Sequence, residues 1–192
     1  MNQTLISIGC CVLFLLAGSA QAGDTDGVRS VVRIVGQKYC YGDADVFTVW
    51  LKLDVEIVNS SGTSYYLPPD LVPYVGRVAE SVGAAERGKY INEWTGTRYP
   101  TRPRSHNRPI QIRPGRSTVL HIDYGVPIRR RRDPAIPGTV PMGSYALQLV
   151  LRPEYTPSPP RSERDKGIWV TSLTTEPVSF QVAADSKPKQ CK

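Results

Sequence analysis

The chain has 192 residues, with 24 basic and 17 acidic side chains and a formal net charge of +7. It contains 17 prolines and 16 glycines, so turn-forming residues interrupt it often and long helices are not expected. Cys10 and Cys11 lie in the N-terminal apolar run and the other two cysteines can pair as a disulfide, which leaves two histidines, too few for a zinc site built from the usual three or four His and Cys ligands. We therefore predict no metal site and no cofactor.

The N-terminal segment has the composition of an export signal. Residues 1–22 contain no Lys, Arg, Asp or Glu, and residues 5–17 form an apolar run that is shorter than the roughly 20 residues a membrane-spanning helix needs. Ala20-Gln21-Ala22 is a small-x-small cleavage motif. We predict a signal peptide at 1–22, a single domain at 23–192 without a transmembrane segment, and a secreted or periplasmic location. An uncleaved anchor is the alternative, because residues 1–4 carry no basic side chain.

Two cysteines, Cys40 and Cys191, remain once the signal peptide is removed. In an exported protein such a pair predicts a disulfide. The bond would close a loop of about 150 residues and, in the chain-entropy account, would stabilise the fold by at most about 5 kcal/mol. It would also hold the C-terminal tail, about residues 184–192, against the domain. The alternatives are two free thiols or an intermolecular bond from Cys191.

The predicted elements in the first half of the chain are strands. Residues 28–35 form the first, and the next has an apolar face and a charged face: Leu51, Leu53, Val55 and Ile57 alternate with Lys52, Asp54 and Glu56. It ends at the turn cluster Asn59-Ser60-Ser61-Gly62, which also matches a glycosylation sequon. A short strand at 65–67 ends before Pro68, because proline cannot donate to a ladder. Residues 71–87 are read as a strand or a short helix.

The second half continues the strand pattern. Its apolar faces are Leu120, Ile122 and Tyr124, then Tyr145, Leu147, Leu149 and Leu151, then Val178, Phe180 and Val182, with a further strand at 168–173. On the first of these strands Val119, His121 and Asp123 are expected to point outward. At least six strands separated by turn clusters favour an antiparallel sandwich over a βαβ fold.

Two of these stretches resemble the immunoglobulin-like superfamily. One is LDVEIVNSSG at 53–62, a strand that runs into a polar turn, and the other is GSYAL at 143–147, the entry to a late strand. The resemblance implies an all-β fold: a single antiparallel two-sheet sandwich with long Pro/Arg-rich loops and with Tyr145 near a sandwich corner. The Cys–Trp–Cys arrangement of antibody domains is absent. Such a scaffold does not fix an activity.

Groups suited to catalysis are scarce. His106 lies among arginines and prolines, and the sequence has no Gly-x-Ser-x-Gly elbow and no Gly-rich phosphate loop. The aspartate pairs GDTDG and YGDADVF lack the glycine and glutamate frame of a calcium loop. We therefore predict that the protein is not an enzyme and has no catalytic residues.

Arginines are concentrated in one part of the chain. Residues 98–132 contain ten arginines and a single acidic residue, Asp123, so this segment carries a charge of +9 and the rest of the chain −2. The guanidinium fork fits carboxylates, phosphates and sulfates. We predict an anion-binding surface formed by two loops and carried by Arg102, Arg104, Arg108, Arg129, Arg130, Arg131 and Arg132. The alternative is that these loops are solvated and have no partner.

The predicted function is that of an exported, non-catalytic β-sandwich that acts as a binding or structural module at the cell envelope through this basic surface. The expected partner is an acidic protein, glycan or lipid surface. Nucleic acid is not expected, because the protein is exported and shows no reader motif. One alternative is a protease inhibitor or hydrolase that acts through the Pro-rich segment 153–160. Another is a subunit that adds a strand to a partner at a sheet edge.

Overall fold

The computed structural model describes residues 27–41, 47–68, 71–95, 109–128, 139–153, 167–183 and 189–190. Within these ranges the predicted all-β class is confirmed, and no helix among them is long and apolar enough to cross a membrane. The elements are β1 Val28–Tyr41, β2 Phe47–Asn59, β3 Tyr65–Leu67, β4 Leu71–Ala79, α1 Val82–Glu86, β5 Asn92–Thr95, β6 Ile110–Ile112, β7 Ser117–Pro127, β8 Gly143–Pro153, β9 Ile168–Trp169, β10 Leu173–Thr174, β11 Val178–Val182 and β12 Lys189–Gln190. The signal peptide predicted at 1–22 lies outside the described residues.

The described strands form three hydrogen-bonded sheets. Sheet 1 has the order β12-β1-β2-β7, and sheet 2 has the order β10-β8-β4-β5, with β11 also paired to β8. Sheet 3 is small and has the order β6-β3-β9. Most pairs are antiparallel, but β1 pairs with β12 and β3 with β9 in parallel. The expectation of two antiparallel sheets therefore omitted a third sheet. Because Pro68 follows β3 and cannot donate to a ladder, β3 stops after three residues and does not extend a large sheet.

The alternation predicted for β2 is confirmed. Its inward side chains, Val49, Leu51, Leu53, Val55 and Ile57, are at most 1% exposed. They join apolar side chains from all three sheets in one core cluster. Burying each such side chain stabilises the fold by roughly 1.5–3 kcal/mol relative to leaving it in water. The charged side chains of β2 point to the opposite face of sheet 1.

The close approach of sheets 1 and 2 is set by Tyr124 and Gly76. The Tyr124 side chain is fully buried, and a side chain at Gly76 would overlap its hydroxyl oxygen. No described group hydrogen-bonds to this hydroxyl. Burial raises the pKa of the Tyr124 hydroxyl well above its ordinary value, because the phenolate would lose its hydration. Gly76 is therefore required so that the tyrosine ring can reach across the core.

The segment predicted to be a strand or a short helix contains both. Leu71–Ala79 form β4, and Pro73 sits at a register shift in its pairing with β8, which is the kind of place where a strand tolerates proline. The chain then forms the one-turn helix α1. The hydroxyl of Ser81 caps it by accepting a hydrogen bond from the Ala84 nitrogen at 3.2 Å.

Candidate anion-binding site

The arginines predicted to bind anions lie outside the described residues, but the points from which their segments leave the fold are described. Residues 96–108 connect β5 to β6, and residues 129–138 connect Ile128 to Thr139. The Pro-rich segment of the alternative function also lies outside the described residues from residue 154 onward. The described part of the basic run is therefore the turn between β6 and β7.

Two of the points at which the arginine-rich segments leave the fold lie near opposite ends of β2. The other end of residues 96–108 is Thr95 of β5, in sheet 2. Ile112, at the end of β6, accepts a hydrogen bond from the side chain of Asn59, which is the last residue of β2. Ile128 donates its backbone N–H to the carbonyl of Phe47, the first residue of β2, at 2.8 Å. Because β2 has 13 residues and a strand rises about 3.3 Å per residue, these attachment points are about 40 Å apart. We refer to them as the Asn59 end and the Phe47 end.

The basic turn at the Asn59 end consists of Arg113-Pro114-Gly115-Arg116. The nitrogen of Arg116 donates to the carbonyl of Arg113 at 3.1 Å and closes the turn. Gly115 adopts a φ of 66°, in the left-handed region that glycine occupies without strain. Both arginine side chains are exposed. The turn therefore presents two guanidinium groups to solvent from a hydrogen-bonded backbone.

The side chain of Asn59 organises this end of the fold from inside. It is fully buried, and its Nδ2 donates to the carbonyls of Thr63 at 2.8 Å and Ile112 at 3.0 Å. Its Oδ1 accepts from the backbone nitrogen of Ser61 at 2.9 Å and from the Ser61 hydroxyl at 2.7 Å. Since Nδ2 is buried and fully used, the sequon at Asn59 is closed to glycosylation in the folded protein.

The backbone of Asn59 holds the basic turn directly. Its nitrogen donates to the Arg116 carbonyl at 3.0 Å, and its carbonyl accepts from the Gly115 nitrogen at 2.9 Å. Asn59 thus bonds to both sides of the turn through its main chain and to β6 through its side chain. From the sequence, Asn59 is predicted to lie in a turn cluster, but its role depends on contacts with residues more than fifty positions away.

Some of the described arginines make ion pairs, and others, at the Asn59 end, do not. Arg33 pairs with Glu56 at 3.5 Å, and Arg77 pairs with Glu93 at 3.5 Å. A second group of exposed arginines makes no ion pair with any described residue. This group is Arg29, Arg113 and Arg116, together with Arg87 beside α1.

Arg29 belongs to the same end because it lies opposite Val58, next to Asn59. Three arginines at the Asn59 end therefore carry positive charges that no described acidic side chain pairs with. Guanidinium groups in this state retain all their hydrogen-bond donors for an external carboxylate, phosphate or sulfate.

An aromatic pair that the sequence analysis missed lies on the sheet that leads into the turn. Tyr66 and Trp169 stack with their ring centroids 5.7 Å apart. In the register of sheet 3, Tyr66 lies beside both Gln111 and Trp169, so the three residues form one row. Gln111 is exposed and precedes Arg113 by two positions.

His121 and Asp54 form a pair on the surface of sheet 1. His121 is exposed on β7, as predicted, and its Nδ1 lies 2.7 Å from Oδ1 of Asp54 on β2. The hydroxyl of Ser117, on the same face, is engaged by Glu56 at 2.8 Å and lies four residues from the histidine along the strand. The pair cross-links β2 to β7 on the outer face of sheet 1. His106 lies outside the described residues.

Metal ligands do not converge in the part of the chain that the structure describes, since no three His, Cys, Asp or Glu side chains there are placed to hold an ion. Cys40 is buried near the end of β1, and Cys40 and Tyr41 pair in parallel with Lys189 and Gln190 of β12. Cys191 lies outside the described residues, so its bond to Cys40 stays a prediction.

Comparison of the chain with protein-family models, with curated proteins and with solved structures gave no match. What the protein does is therefore inferred from its own residues. The arrangement that is most informative is the exposed arginine group at the Asn59 end, above a turn that a buried asparagine holds in place.

Proposed function

We propose that this protein is an exported, non-catalytic β-sandwich that binds an anionic partner at the cell envelope through its arginine-rich turn and loops. The observation that carries the proposal is the basic turn, in which Arg113 and Arg116 are exposed and make no ion pair with any described residue. Asn59 holds the backbone of this turn. A turn that is already ordered loses little conformational entropy on binding, which favours affinity.

The immunoglobulin-like character of the sandwich is part of this proposal. The hydroxyl of Tyr145 donates to the carbonyl of Pro141, four residues upstream, at 2.8 Å. A tyrosine at the entry to a late strand that bonds to the backbone just before it is typical of the corner in immunoglobulin-like sandwiches. The contact between Tyr124 of sheet 1 and Gly76 of sheet 2 supports a face-to-face arrangement of the two large sheets.

The second part of the proposal is a disulfide between Cys40 and Cys191. Cys40 is 4% exposed and lies near the end of β1. Its register partner is Lys189, so that the chain reaches Cys191 two residues later. A disulfide at this position would hold β12 to β1, and such a bond persists in the oxidising environment outside the cytoplasm.

The test compares two variants that lose the same charge from different places. Arg113→Ser/Arg116→Ser removes the exposed pair of the basic turn. The control Arg33→Ser/Lys38→Ser removes two positive charges from exposed positions on β1, where Arg33 is paired with Glu56. Each mature protein is loaded on an anionic polysaccharide resin and, separately, on vesicles that contain anionic lipid, and is eluted with salt.

The turn variant is expected to elute at a lower salt concentration than the wild type, and the control variant close to the wild type. An equal shift in both variants would mean that net charge alone sets retention. No shift in the turn variant would remove the proposal. The polysaccharide and lipid arms distinguish the two sources of anionic groups.

A further inference from the structure

The outer side of β7 is an open sheet edge among the described residues. β7 has 11 residues and pairs with β2 on one side. On its other side Val140 covers the C-terminal end, where its nitrogen donates to the Pro127 carbonyl at 3.1 Å, and no described strand pairs with the remainder from Ser117 to Val126. The unpaired N–H and C=O groups of an edge strand are a template for another strand. A long open edge therefore calls for either protection or a partner.

The direction of the free backbone groups follows from hydrogen bonds at the two ends of the β2–β7 ladder. Asn59 donates to the Arg116 carbonyl at 3.0 Å at one end, and Ile128 donates to the Phe47 carbonyl at 2.8 Å at the other. In an antiparallel pair the hydrogen-bonded positions alternate, so the even-numbered residues of β7 bond to β2. The odd-numbered residues direct their backbone groups to the other side: Ser117, Val119, His121, Asp123, Gly125 and Pro127. The Pro127 carbonyl already accepts from Val140, so the free groups are those from Ser117 to Gly125.

The two long edges of sheet 1 differ in their protection. β1 carries Arg29, Arg33 and Lys38, a register shift between Ile34 and Gly36, and the short strand β12 at its end. Basic side chains and bulges of this kind prevent pairing between sheet edges. Between Ser117 and Val126, β7 has no Lys, Arg or Pro, and its pairing with β2 runs without a register shift.

We propose that β7 pairs antiparallel with β7 of a second copy of this chain, so that sheet 1 continues across a twofold axis. A twofold interface uses the same surface on both copies. The axis passes through Ile122, which places His121 of each copy opposite Asp123 of the other. Val119 then lies opposite Gly125, and only odd-numbered residues exchange backbone hydrogen bonds.

Charge selects this register. Moving the axis to His121 would place the two imidazoles opposite each other, and moving it to Asp123 would do the same with the two carboxylates. With the axis at Ile122 each imidazole instead faces a carboxylate, so that two symmetric His–Asp pairs form and no group faces its own kind. The Nδ1 atom of His121 is engaged by Asp54 at 2.7 Å, which leaves Nε2 for the second copy. Asp123 makes no ion pair with any described residue.

The apolar surface of β7 fits the same register. Val119 is 44% exposed, which is high for valine in a strand, and Leu120 is half-buried. Opposite Val119 the second copy would present Gly125, which is buried because its missing side chain leaves room for the Trp50 ring and the Thr48 methyl group to lie over its backbone. Leu120 would lie opposite Tyr124 on the inner face. Pairing therefore removes exposed apolar surface from water on both faces of the sheet.

The test is sedimentation velocity of the mature wild type and charge variants over a concentration series, with circular dichroism to confirm folding. The wild type is expected to sediment as a dimer. Asp123→Arg and His121→Glu each place like charges opposite one another, and each is expected to raise the dissociation constant about tenfold or more. The double variant His121→Glu/Asp123→Arg restores opposite charges and is expected to recover dimerisation. Glu86→Arg on α1 makes the same charge change as Asp123→Arg away from the edge and is the control.

Amide hydrogen exchange provides the second measurement. In the dimer the amides of Val119, His121, Asp123 and Gly125 are expected to be protected at high protein concentration and to exchange on dilution. A monomeric wild type, or a dimer in which these four amides stay unprotected, overturns the proposal. So does a folded double variant that remains monomeric, or a control that dissociates as Asp123→Arg does.

Discussion

The side-chain amide of Asn59 donates to the carbonyl oxygen of Ile112 at 3.0 Å, and this bond ties the end of β2 to the strand that leads into the basic turn. Asn59 is fully buried and polar, which is tolerated because all its side-chain donors and acceptors have partners. The position of two exposed arginines thus depends on a residue that no ligand could touch. Function and stability are coupled at this end of the fold, and they can be separated by mutation.

Asn59→Ala should lower the free energy of unfolding by about 2–4 kcal/mol, because it leaves the buried carbonyl of Ile112 without its donor and opens a small cavity. Urea denaturation of the mature protein measures this change. Ser60→Ala, which removes an exposed hydroxyl that donates to Gly27 at 3.0 Å, is the control and should cost less than about 1 kcal/mol. Equal losses in the two variants would contradict the role assigned to Asn59.

Gly76→Ala should destabilise the protein by about 3 kcal/mol or more, since the new methyl group would overlap the Tyr124 hydroxyl in a close-packed core. Gly62→Ala is the matched control, because a side chain there meets nothing within 4 Å. Thermal unfolding followed by circular dichroism compares the two. In a Tyr124→Leu background the cost of Gly76→Ala should fall, because the atoms that it overlaps are gone.

Alkaline pH should destabilise the fold through Tyr124. Burial raises the pKa of its hydroxyl above the ordinary 10.0, so the group stays protonated in the folded state while the unfolded chain ionises it. Its contribution is therefore fully present below pH 10 and is lost as the pH rises, by up to about 1.4 kcal/mol per pH unit. Urea denaturation between pH 8 and 11 should show this loss in the wild type and a shallower one in Tyr124→Phe. If the free energy of unfolding fell equally with pH in the two proteins, a contribution from Tyr124 would be excluded.

The cysteine pair gives the fourth prediction. If Cys40 and Cys191 are joined, Cys40→Ala, Cys191→Ala and the double variant each lose the same bond and should each be less stable by about 2–5 kcal/mol. The intact mass of the non-reduced wild type should be two hydrogens lower than that of the reduced protein. Two free thiols would instead give an unchanged mass and a Cys191→Ala variant as stable as the wild type.

Strands with one buried face were predictable from the sequence. β2, β7 and β11 show the alternation that a half-buried strand imposes, whereas β8 was predicted from its apolar alternation but is buried on both faces from Tyr145 to Leu151. β3 was predicted with its observed bounds, since Pro68 limits it. β1 was predicted only as far as residue 35 but extends to Tyr41, because the register shift between Ile34 and Gly36 reverses which residues face inward.

The strands that the sequence did not reveal are short and held by backbone pairing. β5, β6 and β12 have two to four residues, too few to show a period, and the predicted strand at 168–173 is divided into β9 and β10.

The candidate site was predictable in charge but not in geometry. The run of arginines is visible in the sequence, whereas the separation of its two segments depends on where β6 and β7 join β2.

That separation has an electrostatic consequence. Attachment points about 40 Å apart lie several Debye lengths from each other at physiological ionic strength, where the screening length is about 8 Å. Each end therefore attracts counter-ions independently of the other. A short anionic oligomer would occupy one end at a time, whereas a long polyanion could reach both and gain avidity from a molecule whose individual contacts are weak.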